Sequence, residues 1–242
     1  NIFDIPAFTD NYIWAIQVDN SITIIDPGES EPVLKIIKEK KLILEDILIT
    51  HHHYDHTGGI LELKKNMSGK VYGPKNKNIQ GVDISLLQND LLKTLEYEFK
   101  VIETPGHTLD HISFYNNQYH VLFCGDTLFS AGCGRIFEGT YNQLHDSIQK
   151  INGLSKKTKI YCGHEYTLSN LEFVRSQIGG DFIEQKYKET LDKRSMNQIT
   201  LPSTLDIERK INPFLLEIVP DDIKNLNAVD VFKELRIRKD NF

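Results

Sequence analysis

Cysteine is scarce in this chain: Cys124, Cys133 and Cys162 are the only three among 242 residues. An odd number in a chain of this size does not make a disulfide framework, which points to a reducing compartment, the cytoplasm. Cys124 and Cys162 stand in or at the end of apolar runs, where buried, inert thiols are the ordinary reading, so neither is taken as a nucleophile. Long hydrophobic runs are missing too. Ile22–Ile25 and Val121–Cys124 fall far short of the roughly 20 apolar residues that cross a bilayer, and the N-terminus shows no basic-then-apolar leader, so neither membrane insertion nor export is expected. Positive charge is not in excess, since 28 Lys and Arg against 34 Asp and Glu leave a net −6. That excludes the broad basic footprint of a nucleic-acid binder, and the basic cluster Leu235–Asp240 (LRIRKD) is too short to track a polyanion. No coiled-coil repeat or interface pattern stands out, and a monomer is expected.

What remains is an ordinary globular composition, 40% hydrophobic and 26% charged, which fits neither disorder nor a fibrous repeat. From Ile22 to about Tyr161, apolar runs recur and end in Gly, Pro, Asp or His: ITIIDPG, DILITHHH, KVYGP, FKVIETPGH, HVLFCGD and KIYCGHE. These read as strands. Pro32–Lys41 and Gly59–Lys65 between them read as helices, so sheets covered by helices follow. Asp26, His51, His107, Asp126 and His164 each stand just after the apolar stretch of a strand, and strand ends that gather make a site. After His164 the pattern turns helical: Leu168, Leu171, Val174 and Ile178, then Ile183, Tyr187 and Leu191. A proline-containing stretch, Leu201 to Pro220, interrupts it before a last helix whose Val231, Phe232 and Leu235 face inward. The expected division is a strand-rich domain over residues 1–164, which carries the candidate ligands, and a helical one over 165–242.

Residues 50–59 read Thr-His-His-His-Tyr-Asp-His-Thr-Gly-Gly, placing four histidines and an aspartate in six positions when the whole chain has nine histidines. In extended chain His51 and His53 point to one side and can grip one ion, while His52 points away. Asp55 and His56 are adjacent, so the chain must curl to present both, toward a second ion; Thr57-Gly58-Gly59 supplies permissive residues for that turn. Imidazole and carboxylate donors without cysteine suit zinc, iron or manganese in an open, chemically active site rather than a closed structural one. His111 is read as a residue that supports the ligands from behind or packs beside them, and His120 and His145 as solvated or capping ones. Thr104-Pro105-Gly106-His107, Phe123-Cys124-Gly125-Asp126-Thr127 and Tyr161-Cys162-Gly163-His164-Glu165 each repeat the order strand, flexible residue, ligand type.

The pattern His51-x-His53-x-Asp55-His56, followed by a later His, Asp and His, resembles the metallo-β-lactamase superfamily. Within it the chain is similar to the glyoxalase II (hydroxyacylglutathione hydrolase) family through THHHYDHTGG, TPGHT, CGDTLFSAGCGRIFEG, CGHEYTLSN and the C-terminal LRIRKDNF, nearly end to end. The resemblance implies an α/β fold, a four-layered αββα sandwich with a C-terminal helical domain. It implies two divalent metal ions, zinc first and iron or manganese as alternatives: one on His51, His53 and His107, the other on Asp55, His56 and His164, with Asp126 bridging. It implies hydrolysis of S-(2-hydroxyacyl)glutathione thioesters, chiefly S-D-lactoylglutathione, with no catalytic side chain beyond the metal ligands.

The same resemblance assigns the small-molecule glutathione thioester to Arg135, Phe137, Tyr166, Arg236 and Lys239. Arg135 stands where many relatives have lysine, and Phe137 where some have tyrosine, which removes one hydroxyl from the binding surface. The enzymatic alternative is a glutathione persulfide dioxygenase with a single iron, whose relatives generally lack so complete a helical tail. A β-lactamase is disfavoured by Asp126, where such enzymes typically have cysteine, and a nuclease by the acidic balance.

Overall fold

Apolar runs of up to eight residues form the strands, and the lengths between them decide how they pair. The computed structural model describes all residues from Asn1 to Phe242. They form two packing units: Asn1–Glu103 with Asp110–Gly125, and Thr104–Leu109 with Asp126–Phe242. The change from strands to helices near residue 165 lies inside the second.

In the first unit β1 (Ile2–Ala7), β2 (Asn11–Val18) and β3 (Ser21–Ile25) are joined by short turns and pair antiparallel. α1 (Glu31–Lys40) starts with Pro32, whose fixed φ suits a first turn, and ends on Lys41 in a left-handed conformation. It is the crossover that lets β4 (Ile43–Leu48) lie parallel to β3. α2 (Tyr54–Thr57) and α3 (Ile60–Leu63) follow. β5 (Val71–Pro74) and β6 (Ile84–Leu86) extend the sheet in parallel, in the order β1-β2-β3-β4-β5-β6. Its core is aliphatic, with Ile13, Ile22, Ile24, Val33, Ile47 and Val71 buried. β7 (Leu91–Thr94), β8 (Tyr97–Glu103), β9 (Ile112–Asn116) and β10 (Val121–Gly125) form an antiparallel meander. Strands β1, β2, β6, β7 and β9 were not among the runs marked in the sequence.

The curl after His53 is a single helical turn, α2, and it begins before the glycines expected to permit it. Gly58 and Gly59 have ordinary helical φ values of −60° and −83°. Their need is room: a Cβ at Gly58 would lie 2.6 Å from the Gly28 carbonyl oxygen, and one at Gly59 2.7 Å from that of Pro27.

The second unit holds the hairpin β11 (Leu128–Phe129) and β12 (Gly132–Cys133), then α4 (Tyr141–Asn152), started by a Thr140/Gln143 capping box. β13 (Lys159–Cys162) precedes α5 (Thr167–Gln177) and α6 (Asp181–Ser195). α6 buries Ile183 and Thr190, whereas Leu191, expected inward, is 42% exposed. The stretch 201–220 was expected only to interrupt the helices. It contains β14 (Ser203–Thr204), paired with β13, and α7 (Leu205–Ile211), because Thr204 caps the helix and Pro202 and Pro213 flank it without breaking it. α8 (Ala228–Asp240) is capped by Asn227 and buries Val231, Phe232 and Leu235. His145 is buried in α4 with its ring edge-on to Phe232, not solvated.

Candidate metal centre

The carboxyl ends of β3 and β4 lie side by side, with the Asp26 amide donating to the Leu48 carbonyl at 2.9 Å. Such ends are where α/β sheets present their working residues. Asp26 has a left-handed backbone, φ +54°, which Asp tolerates better than most residues. Its Oδ1 accepts from the Thr50 amide and its Oδ2 from Thr50 Oγ1, both at 2.7 Å. Oδ2 also lies 3.1 Å from Nδ1 of His56.

Past β4 the chain gathers His51, His53, Asp55 and His56. The His51 ring centroid is 4.8 Å from that of His53 and 4.2 Å from that of His56. Asp55 Oδ2 lies 3.5 Å from His56 Nε2 and accepts from Asn11 Nδ2 at 2.9 Å. His52 is directed elsewhere, with Nδ1 2.9 Å from Asp110 Oδ1. His111 is buried with its ring stacked on His51.

The second unit gathers His107, Asp126 and His164. His107 donates from Nδ1 to the Arg135 carbonyl at 2.7 Å. Asp126 Oδ2 lies 3.5 Å from His107 Nε2 and 3.2 Å from His164 Nε2, so one carboxylate oxygen faces two imidazole nitrogens. The His164 ring stacks flat on Tyr166, with centroids 4.7 Å apart.

These contacts decide the tautomers. A carboxylate and a carbonyl only accept, so His56 and His107 each carry their proton on Nδ1. Thr50 gives its hydroxyl proton to Asp26 and therefore accepts from His51 Nδ1, 3.0 Å away. With Nδ1 so anchored, Nε2 is the nitrogen that His51, His56 and His107 can turn to a metal ion. His51, His56, His107, Asp126 and His164 are all buried. Nitrogen and carboxylate donors of this kind fit a divalent metal ion. The sequence reading counts Asp26 among the strand-end residues that make the site but gives it no anchoring part, and Thr50, Asn11 and the Arg135 carbonyl have none there. The only signal for Asp26 was its place directly after an apolar strand.

The five residues assigned to substrate all lie in the second unit. The Arg135 side chain is 60% exposed, with Nε 3.4 Å from Asp240 Oδ1. Arg236 is buried: Nη1 donates to the Cys133 carbonyl at 3.0 Å, and Nη2 and Nε to Asp240 Oδ1 at 2.8 and 3.2 Å. Lys239 donates to the Ser169 carbonyl at 3.1 Å, and burial followed by the Arg236 charge lowers its pKa. Two cations, Arg135 and Arg236, thus meet one carboxylate, Asp240. Phe137 is exposed, with its ring edge-on to His107. The free cysteines are all buried, and burial pushes the Cys133 thiol up to about 11.

Strand-end imidazoles anchored through Nδ1, with aspartates between them, define a metal-binding protein of the metallo-β-lactamase fold. The superfamily's model matches residues 7–164, and that of the hydroxyacylglutathione hydrolase C-terminus matches 165–242. The chain belongs to the metallo-β-lactamase superfamily and, within it, to the hydroxyacylglutathione hydrolase family. It is 44% identical to the hydroxyacylglutathione hydrolase of Erwinia tasmaniensis and 45% identical to that of Citrobacter koseri, in each case over 100% of both chains. Among solved structures, that of ETHE1 from Myxococcus xanthus is similar in fold, with a TM-score of 0.67 at 23% identity over 100% of both chains. BLEG-1 B3 metallo-beta-lactamase has a TM-score of 0.67 at 24% identity, covering 89% of this chain and 99% of that one. No helix is long and apolar enough to cross a membrane.

Proposed function

We propose that the chain hydrolyses S-(2-hydroxyacyl)glutathione thioesters, chiefly S-D-lactoylglutathione, to glutathione and the free acid, as a binuclear metalloenzyme. The observation that carries this is Asp126 Oδ2 facing both His107 and His164 Nε2, in a chain matched end to end by hydroxyacylglutathione hydrolases. His51, His53 and His107 would hold one ion and Asp55, His56 and His164 the other, with Asp126 shared. Zinc suits these donors, and iron or manganese would also be accepted. Bound there, the ions would supply a water acidic enough to deliver hydroxide near neutral pH, and a Lewis acid for the thioester carbonyl.

The protein's own groups then have to place the substrate. Glutathione is anionic, and Arg135, Arg236 and Lys239 form a cationic cluster that Asp240 only partly neutralises. Arg236 is committed to Cys133 and Asp240, so it contributes its charge and holds the cluster's shape. Tyr166 and Phe137 lie against the His164 and His107 rings and would offer the thioester aromatic surface beside them. No side-chain acid is needed for departure, because a thiol with a pKa of about 8.5 leaves as thiolate. We further propose that the protein works as a cytoplasmic monomer, the compartment being supported by its three free, buried thiols.

The test is hydrolysis of S-D-lactoylglutathione by the purified, metal-loaded protein, following free thiol and D-lactate, with an EDTA-stripped control. Metal-dependent release of both products is expected. Silence from a protein shown to contain its metal would overturn the proposal.

A further inference from the structure

Residues 128–133, the β11–β12 hairpin, leave from Asp126 and return to the anchor of His107. At the base, the Gly134 amide donates to the Thr127 carbonyl at 3.2 Å. A Cβ at Gly134 would lie 1.9 Å from the Asp126 carbonyl oxygen and 3.2 Å from His107 Nδ1, so this strand end is pressed against both. Arg135, the next residue, supplies the carbonyl that holds His107 Nδ1. The tip is strained: Ala131 has φ +56°, a conformation L residues avoid.

Glu208 of α7 is fully buried and closes on that tip. Its Oε2 accepts from the Ala131 amide at 2.8 Å, and its Oε1 from Ser130 Oγ at 2.9 Å and from the Ser203 hydroxyl. Asn212, four residues on, shares its Nδ2 among the Phe129 carbonyl at 3.0 Å, the Gly132 carbonyl at 2.9 Å and Glu208 Oε2 at 3.2 Å. A buried carboxylate with four donors is costly to assemble unless each bond is made. Nothing in thioester hydrolysis uses it. Its partners are the tip of the hairpin and the two groups that hold it from behind.

We propose that Glu208 is a positioning residue of the metal centre: by gripping the strained tip of the β11–β12 hairpin it fixes Asp126 and the Arg135 carbonyl, and through that carbonyl the His107 ring. The inference rests on reading this centre as a metal site, and Glu208 itself touches neither metal nor substrate.

Cobalt(II) is the probe, with the full-length protein carrying Glu208→Gln, Ser130→Ala, or Glu208→Gln with Ala131→Gly. Affinity is read by chelator competition, geometry by the visible ligand-field bands, and melting temperature alongside. Glu208→Gln keeps the size but turns an NH2 toward donors, releasing the tip. It should bind cobalt about 10- to 100-fold more weakly, the range for loss of groups that orient metal ligands, with shifted bands. Ser130→Ala should give a smaller loss of the same kind. Ala131→Gly should restore part of the affinity to Glu208→Gln, since glycine takes positive φ freely. Wild-type affinity and bands in both single variants would overturn the proposal whatever happens to the melting temperature. If Glu208→Gln does not fold, unchanged cobalt binding in Ser130→Ala overturns it alone. A wild-type chain that binds no cobalt would bring down the metal-centre reading as well, which separates the two failures.

Discussion

Asp126 presents Oδ2 to Nε2 of His164 at 3.2 Å, and the same oxygen is 3.5 Å from Nε2 of His107. Two imidazoles assigned to different ions are therefore linked by a single atom. Asp126→Ala removes that link. It is expected to lower kcat by at least about 100-fold and to reduce the metal-to-protein ratio measured by elemental analysis. Full activity with undiminished metal would end the binuclear assignment.

Asp26 is not among the assigned ligands, yet it anchors His56 directly and His51 through Thr50. Asp26→Asn keeps a residue that tolerates the left-handed backbone but loses the charge that fixes both rings. Metal affinity should fall about 10- to 100-fold. Because the two rings are assigned to different ions, stepwise titration with a chelator should show both sites weakened, not one.

Arg236 is buried with a forked set of bonds to Asp240 and the Cys133 carbonyl. Arg236→Lys keeps the charge and loses the fork. Loss of hydrogen bonds to a buried charged group typically costs about 1.5–3 kcal/mol, which urea denaturation of the apo-protein should register. KM for the glutathione thioester should rise while kcat changes little, because the cluster whose shape Arg236 holds would bind the glutathione part equally in ground and transition states. An unchanged KM would remove Arg236 from the binding assignment.

Lys239 is partly buried next to the Arg236 charge, and both effects lower its pKa. The sign follows directly: it gives up its proton below the ordinary lysine range, so the cationic cluster weakens there. A rise in KM on the alkaline side, starting before the usual lysine pKa, is expected in the pH profile of kcat/KM. Lys239→Arg should move that limb out of range. For stability the effect is opposite: the unfolded chain binds more protons in this interval, so the native state gains as pH rises through it.

The groups of imidazole and carboxylate side chains were legible because such residues crowd into 51–56 and recur after apolar strands, and period-two alternation separated His52 from its neighbours. Their anchors were not. Asp26 and His56 are 30 residues apart, and the partner of His107 is a backbone carbonyl, which leaves no mark in a side-chain pattern. Glycine identity was visible at 58 and 59, but close approach to Pro27 and Gly28 cannot be told from turn flexibility without the fold. Periodicity found α5 and α6 and put Leu191 on the wrong face, because the inward stripe of α6 runs through Ile183, Tyr187, Thr190 and Arg194 instead of strict fourth positions. The prolines at 202 and 213 concealed α7 by lying just outside it.

The proposed reaction liberates a thiol, and thiols exchange with disulfides through the thiolate. Cys124 and Cys162 are fully enclosed, and burial holds Cys133 protonated up to about pH 11. A mixed disulfide with its own product would need both an ionised sulfur and a path to it: Cys124 and Cys162 lack the path, and Cys133 lacks the ionised sulfur. The protein can therefore work within a glutathione redox couple without being titrated by it.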